Sequence, residues 1–128
     1  MGNGDMEKKI RILLVDDEEG FVTILAKRMS RRNFDVTTAG NGADAIRILR
    51  HQDFDIALLD YKMEGLDGVE VLKIFKMMAP ELPVIILTGH GDQAAAADGQ
   101  KYGAADYIRK PHDFEELLNK IHLTLKKV

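Results

Sequence analysis

Short aliphatic runs alternate with stretches whose apolar residues recur every three or four positions, and this alternation repeats five times along the chain. Ile10 to Val15 predicts a first strand. Phe21, Ile24, Leu25 and Met29 then follow at helical spacing and predict an amphipathic helix over about residues 19–32. Phe34 to Thr38 predicts a short second strand, favoured by the β-branched Thr37 and Thr38. Gly40-Asn41-Gly42 is a turn, with Asn41 as N-cap of a helix lined by Ala45, Ile46 and Leu49. Ile56 to Leu59 is the third strand. Asp67 with Glu70 three residues later has the form of a capping box, opening a helix whose buried stripe is Val71, Leu72 and Phe75. Pro80 ends that helix, and Pro83 leads into the strand Val84 to Leu87. The fourth helix, from about Asp92 to Tyr102, is the weakest: its apolar face is mostly Ala94 to Ala97, and Gly99 costs about 1 kcal/mol relative to alanine. Gly103 precedes a fifth strand, Ala105 to Ile108. Asp113 caps the last helix, with Glu116 at its third position and a stripe of Phe114, Leu117, Leu118, Ile121 and Leu125.

Nearly continuous aliphatic strands separated by amphipathic helices imply an α/β protein with a parallel sheet covered on both faces. Right-handed crossovers restrict the topology further. Five such units suit a flavodoxin-like (βα)5 three-layer sandwich, its five-stranded sheet in the order 2-1-3-4-5. The chain has no repeat and no low-complexity linker, and 128 residues suffice for one well-buried core. The expected organisation is a flexible polar tail at residues 1–8 and one domain over residues 9–128. Met6 is a candidate natural start behind added residues.

Composition narrows the function. Cysteine is absent, which removes disulfides, thiol catalysis and thiolate metal sites and is compatible with a reducing cytoplasm. No apolar run approaches the roughly 20 residues of a membrane span, and the polar start lacks a secretory core, so a cytoplasmic location without membrane attachment is expected. The net charge of −3 argues against nucleic-acid binding. The short basic clusters Lys27-Arg28, Arg31-Arg32 and Lys126-Lys127 read as solvated helix ends. Met29 and Met78 read as core or helix packing, and His51, His112 and His122 lack metal-ligand companions.

The chemistry concentrates at the ends of four strands. Asp16-Asp17-Glu18-Glu19 follows the first, Asp60 ends the third, Thr88 follows the fourth and Lys110-Pro111 follows the fifth. Each alone has an ordinary reading: acidic pairs cap helices, and threonine-glycine and lysine-proline pairs make turns. Together, on strands that the topology makes neighbours, they form one crevice beyond the carboxyl ends at the switch point. Three carboxylates there repel one another, and a hard divalent cation such as Mg²⁺, which prefers oxygen ligands, relieves the repulsion. Asp60 could then act as a carboxylate nucleophile towards phosphorus, with Lys110 and the Thr88 hydroxyl neutralising the equatorial oxygens.

These motifs are Ile12-Leu13-Leu14-Val15-Asp16-Asp17, Leu58-Leu59-Asp60-Tyr61-Lys62-Met63-Glu64-Gly65-Leu66-Asp67-Gly68, Leu87-Thr88-Gly89 and Gly103-Ala104-Ala105-Asp106-Tyr107-Ile108-Arg109-Lys110-Pro111. From about Ile10 to Leu125 the chain resembles the receiver domain of two-component response regulators. The resemblance implies that Asp60 accepts a phosphoryl group from a phosphohistidine of a sensor kinase or phosphotransfer protein, as a signalling domain rather than an enzyme. It implies Mg²⁺, with Mn²⁺ as a substitute, held by Asp17, Asp60 and the Lys62 backbone carbonyl, with Asp16 acting through water. Thr88, Lys110 and the backbone amides of Gly89 and Lys62 would bind the phosphoryl oxygens, and the Lys110–Pro111 bond would be cis. Thr88 would move to the phosphoryl group while Tyr107 rotates inward. The face of helix 4, strand 5 and helix 5 would then change shape towards a downstream protein, an output domain or a second copy in a phosphorylation-dependent homodimer. No output domain follows Val128, which suits either a stand-alone receiver or part of a larger regulator or hybrid kinase.

Departures from the family pattern carry their own expectations. Glu64 stands where proline is common, leaving that loop less rigid and more negative. Lys62 and His90 lie at the rim of the crevice and are candidates for setting the lifetime of the acyl phosphate. Tyr61 either partly covers the site or is an exposed loop aromatic, and Tyr107 is either a switch or a buried strand aromatic. Three rival functions fit these residues less well. A phosphatase or phosphotransferase of the haloacid dehalogenase type wants a second carboxylate where Lys62 stands. A flavin- or nucleotide-binding module wants a glycine-rich phosphate loop where Asp16 to Glu19 stand. A phosphorylation-independent scaffold does not need the chemical residues present here.

Overall fold

The sheet is built as the strand pattern requires. The computed structural model describes residues 8–63, 65–89, 93–110 and 113–126. Their elements are β1 (Ile10–Val15), α1 (Glu19–Ser30), β2 (Phe34–Ala39), α2 (Gly42–His51), β3 (Ile56–Asp60), α3 (Gly68–Met78), β4 (Val84–Thr88), α4 (Gln93–Tyr102), β5 (Asp106–Arg109) and α5 (Phe114–Lys126). All pairings are parallel and the order is β2-β1-β3-β4-β5, the predicted flavodoxin-like topology.

Alternation along the strands divides the core in two, because successive side chains point to opposite faces. On one face Ile12, Leu14, Ile56, Leu58, Ile85, Leu87 and Ile108 meet Leu25 and Met29 of α1 and Phe114, Leu117, Leu118 and Ile121 of α5. On the other, Leu13, Val15, Ala57, Leu59, Val84 and Ile86 meet Ala45 of α2, Val71, Leu72 and Phe75 of α3 and Ala95 of α4. Each large aliphatic side chain so buried contributes about 1.5–3 kcal/mol. The sheet is therefore a rigid base for whatever its carboxyl edge carries.

Local signals set the helix starts. Asn41 accepts from the amide of Asp44, and Asp67 accepts from the amide of Glu70. Each satisfies a backbone donor that the helix leaves without a partner. The Glu70 carboxylate turns to Lys73 at 3.6 Å. Asp113 accepts from the amide of Glu115 rather than that of Glu116. Phe34 occupies the turn of sheet beneath α5, where its ring meets His122.

Several expectations need correction. Ile24 is 62% exposed, because the apolar stripe of α1 is carried by Leu25 and Met29, and Ile24 sits a quarter-turn away from it. Met78 lies exposed at the end of α3, not in the core. Of the four alanines of α4, Ala95 alone is buried. Tyr107 is not a buried strand aromatic: it is 47% exposed, since β5 is an edge strand that alternates Ile108 inward and its neighbours outward. Glu64, His90, Pro111 and His112, for which the sequence carries expectations, lie outside the described residues.

Gly68 fixes the loop after β3. A Cβ there would lie 2.6 Å from the carbonyl oxygens of Asp60 and Tyr61 and from Tyr61 Cα, all backbone atoms that cannot rotate away. The Gly68 amide donates to Tyr61 O at 2.9 Å, so α3 begins in direct contact with the residue following Asp60. Gly68→Ala is expected to destabilise the fold by about 2 kcal/mol or more through overpacking. Urea denaturation of the purified variant checks this, and a loss under about 0.5 kcal/mol would show that the loop yields.

Candidate functional site

The carboxyl ends of β1 and β3 adjoin because Val15 registers with Leu59. Asp16 and Asp60 each follow by one residue, and both are buried. Oxygen atoms of Asp16, Asp17 and Asp60 all lie within 4.8 Å of one another, with Asp17 exposed at the mouth. Backbone bonds continue the ladder past the strand ends and hold this rim. Asp16 N donates to Ala39 O at 3.1 Å, Tyr61 N to Leu87 O at 2.9 Å, and Lys110 N to Thr88 O at 2.7 Å.

Lys110 is the cation among them. Its Nζ lies 2.8 Å from Asp16 Oδ2, 2.9 Å from Glu18 Oε1 and 3.6 Å from Asp60 Oδ1. It also sits 4.6 Å from the centroid of the Phe21 ring, a cation–π contact. Burial opposes the ammonium charge, but the hydrogen bonds it donates to Asp16 and Glu18 and the charges of Asp16 and Asp60 outweigh it, so Lys110 is held protonated more firmly than usual. Asp60 moves the other way. Its carboxyl is pushed up to about 7, first by burial and then by the charge of Asp16. Lys110 and a hydrogen bond from the Lys62 amide counter this only in part. Thr88 is buried, with Oγ1 3.5 Å from Ile108 O, a long contact that leaves the hydroxyl lightly held.

The structure thus brings together Asp16, Asp17, Asp60 and Lys110, with the Lys62 amide on Asp60 and Thr88 joined to Lys110 through the backbone. Tyr107 points outward from β5, and the Lys62 side chain is exposed. Glu18 and Phe21 were not singled out from the sequence. Both lie in the first turn of α1 or just before it, and their spacing from Asp16 was the available signal. Tyr61 is not an exposed loop aromatic: it is half-buried, and its hydroxyl donates to Asp98 Oδ2 at 2.7 Å.

The donor set fits a hard divalent cation. Three clustered carboxylates face one ammonium, and the buried Asp60 carries the resulting strain in its raised pKa. An added divalent charge would return it to the ionised form.

Known proteins are similar to this chain in sequence and fold. The family model of the response regulator receiver domain matches residues 12–122. The chain belongs to that family. Transcriptional regulatory protein ZraR of Klebsiella oxytoca is 37% identical over 110 residues, which cover 86% of this chain and 25% of that protein. DNA-binding transcriptional regulator NtrC of Escherichia coli is 37% identical over 105 residues, covering 82% of this chain and 22% of that protein. The receiver therefore spans about a quarter of the length of the curated relatives it matches. A receiver domain structure from Clostridium thermocellum superposes with a TM-score of 0.87 at 32% identity, covering 92% of this chain and 95% of that one.

The raised pKa of Asp60 sets a pH dependence for the metal-free receiver. An unfolded aspartate titrates near about 4. Between that value and about 7 the folded receiver keeps a proton that the unfolded chain has lost. Stability is therefore lost as pH rises through this window and falls no further above it. In EDTA, Asp60→Asn is expected to exceed wild type in stability at about pH 8 by on the order of 2 kcal/mol, with the difference shrinking towards about pH 4. Urea denaturation across that range checks it; parallel curves for the two proteins would contradict it.

Proposed function

We propose that this receiver accepts a phosphoryl group on Asp60 from a phosphohistidine of a sensor kinase or histidine phosphotransfer protein, and so acts as a switch rather than as an enzyme with a turned-over substrate. The observation that carries this reading is the position of Asp60, a buried carboxylate on a strand end with Lys110 3.6 Å away and Asp16 and Asp17 beside it. A carboxylate oxygen of Asp60 attacks phosphorus, the P–N bond of the phosphohistidine breaks, and the imidazole leaves with the electron pair and is protonated.

Asp17, Asp60 and the Lys62 carbonyl would hold Mg²⁺, or Mn²⁺ in its place, with Asp16 acting through water. The bound cation supplies charge neutralisation at the phosphoryl oxygens. Lys110 would supply an ammonium there, its Nζ turning from Asp16 and Glu18 towards the new oxygens. The amides of Lys62 and Gly89 and the hydroxyl of Thr88 donate to the same group. Thr88 is buried beside Ile108 and lightly bonded, which supports a side chain free to reorient. Tyr107, outward and half-exposed on the edge strand, is the residue that would turn in behind it. The surface of α4, β5 and α5 would then present a changed face to a downstream protein, an output domain or a second copy.

A groove lined by Glu18, Phe21, Ile24, Leu25, Arg28 and Lys110 runs along α1 to the site. The exposed Ile24 beside it supports docking of a phosphodonor helix on this side. Among the described residues no helix is long and apolar enough to cross a membrane. We take residues 9–128 as one receiver domain at work in the cytoplasm, without a nucleic-acid contact of its own.

Labelled phosphate from a phosphorylated histidine kinase or phosphotransfer protein should pass to wild type in the presence of Mg²⁺ and not to Asp60→Asn. Transfer to the variant at the wild-type level would refute the assignment. The positions of Lys62 and His90 in the chain, two residues beyond Asp60 and Thr88, support a further role in setting the acyl phosphate lifetime. Substituting both should change the dephosphorylation rate several-fold, on the order of 1 kcal/mol in barrier. An unchanged rate would remove them from that role.

A further inference from the structure

Tyr61 is tied in three directions. Its amide donates to Leu87 O and its carbonyl accepts from Gly68 N, each at 2.9 Å. Its hydroxyl donates to Asp98 Oδ2 in α4 at 2.7 Å. The residue next to Asp60 thus joins the end of β4, the start of α3 and the middle of α4.

The other attachments of α4 are slight. Ala95 and Gly99 are its buried residues among those described, and neither brings much apolar area to the core. Gly99 lies close on the sheet, where a Cβ would come within 3.4 Å of Ile86 and 3.3 Å of Ala104. Tyr102, at the far end, stacks under Lys73 at 4.4 Å. A glycine inside the helix lowers its intrinsic stability further. A short hydrogen bond to a carboxylate, half-shielded from water, therefore adds to what fixes this helix beside Tyr102, which packs against the core.

We propose that the Tyr61–Asp98 hydrogen bond is a latch that holds α4 in the resting arrangement and is released when Asp60 is modified. This rests on the phosphoacceptor reading above. Modification adds negative charge one residue from Tyr61 and draws Thr88 towards Asp60. The carbonyl that anchors the Tyr61 amide belongs to Leu87, the residue before Thr88, so displacement of the β4 end reaches Tyr61 directly. A hydrogen bond of this length does not survive a relative shift of about 1 Å. Tyr61 is on this account a positioning residue that acts through α4, and it takes no part in phosphoryl transfer.

The test uses wild type, Tyr61→Phe, Asp98→Ala and the double variant, each read two ways. Amide hydrogen exchange of α4 is measured in the metal-free protein, and apparent beryllofluoride affinity is measured with Mg²⁺ as a mimic of the acyl phosphate. Losing the latch should speed exchange in α4 roughly fivefold in Tyr61→Phe and tighten beryllofluoride binding by a similar factor. In the Y61F background, Asp98→Ala should add no further loosening, and the double-mutant cycle removes the helix-propensity gain of alanine. Unchanged α4 exchange in Tyr61→Phe, or fully additive effects, would overturn the proposal. So would faster exchange with no tightening of beryllofluoride binding, which would leave the bond structural only. Absence of beryllofluoride binding to wild type would instead overturn the phosphoacceptor reading itself and the latch's role as a switch, whatever the exchange rates.

Discussion

Mutual repulsion among Asp16, Asp17 and Asp60 is the constraint around which this molecule is organised. Their oxygens lie within 4.8 Å of one another, and two of the three side chains are buried. At such distances like charges cost several kcal/mol at the effective dielectric of a protein edge, of order 4 kcal/mol for a pair at 4 Å. Lys110 relieves part of this, and Asp60, desolvated by its burial and facing the charge of Asp16, holds its proton to about pH 7. Only a rigid framework can keep such a cluster together. The framework here is a parallel sheet packed on both faces, with Val15, Leu59, Leu87 and Ile108 buried just beneath the rim.

The same framework divides the molecule into firm and soft regions. α1 and α5 clamp one face through Leu25, Met29, Leu117 and Ile121, reinforced outside by Arg28 stacked on Phe114 at 4.0 Å and Arg32 paired with Glu115. α3 is anchored by Phe75 and by Gly68 against the Asp60 loop. α4 brings alanines and a glycine. Regions that bury little apolar surface open at lower free energy, and motion is drawn from them. The proposed response, starting at Asp60 and spreading towards α4 and β5, would follow this gradient of packing.

Much of the fold was legible in the sequence. Alternation placed every strand to within a residue or two, and the Asn41 and Asp67 caps were visible as local chemistry. The gathering of Asp16, Asp17, Asp60, Thr88 and Lys110 followed from topology, because strand ends in a parallel sheet share one edge. What stayed hidden depends on side-chain direction over long sequence separations. Lys110 reaches Glu18 across 92 residues, and Tyr61 reaches Asp98 across 37. Helical spacing admitted Ile24 to the apolar stripe of α1, although the stripe is narrower than the pattern. The outward turn of Tyr107 follows from β5 being an edge strand with Ile108 facing in, a parity that depends on the register with β4.

One carboxylate, Asp60, is the proposed site of the acyl phosphate. Borohydride reduces an aspartyl phosphate to homoserine with release of phosphate, which marks the modified position in the chain. After incubation with acetyl phosphate and Mg²⁺ followed by borohydride, peptide mass spectrometry should find homoserine at position 60 and at no other carboxylate. Recovery of unmodified Asp60, or homoserine at position 16 or 17 instead, would contradict the account.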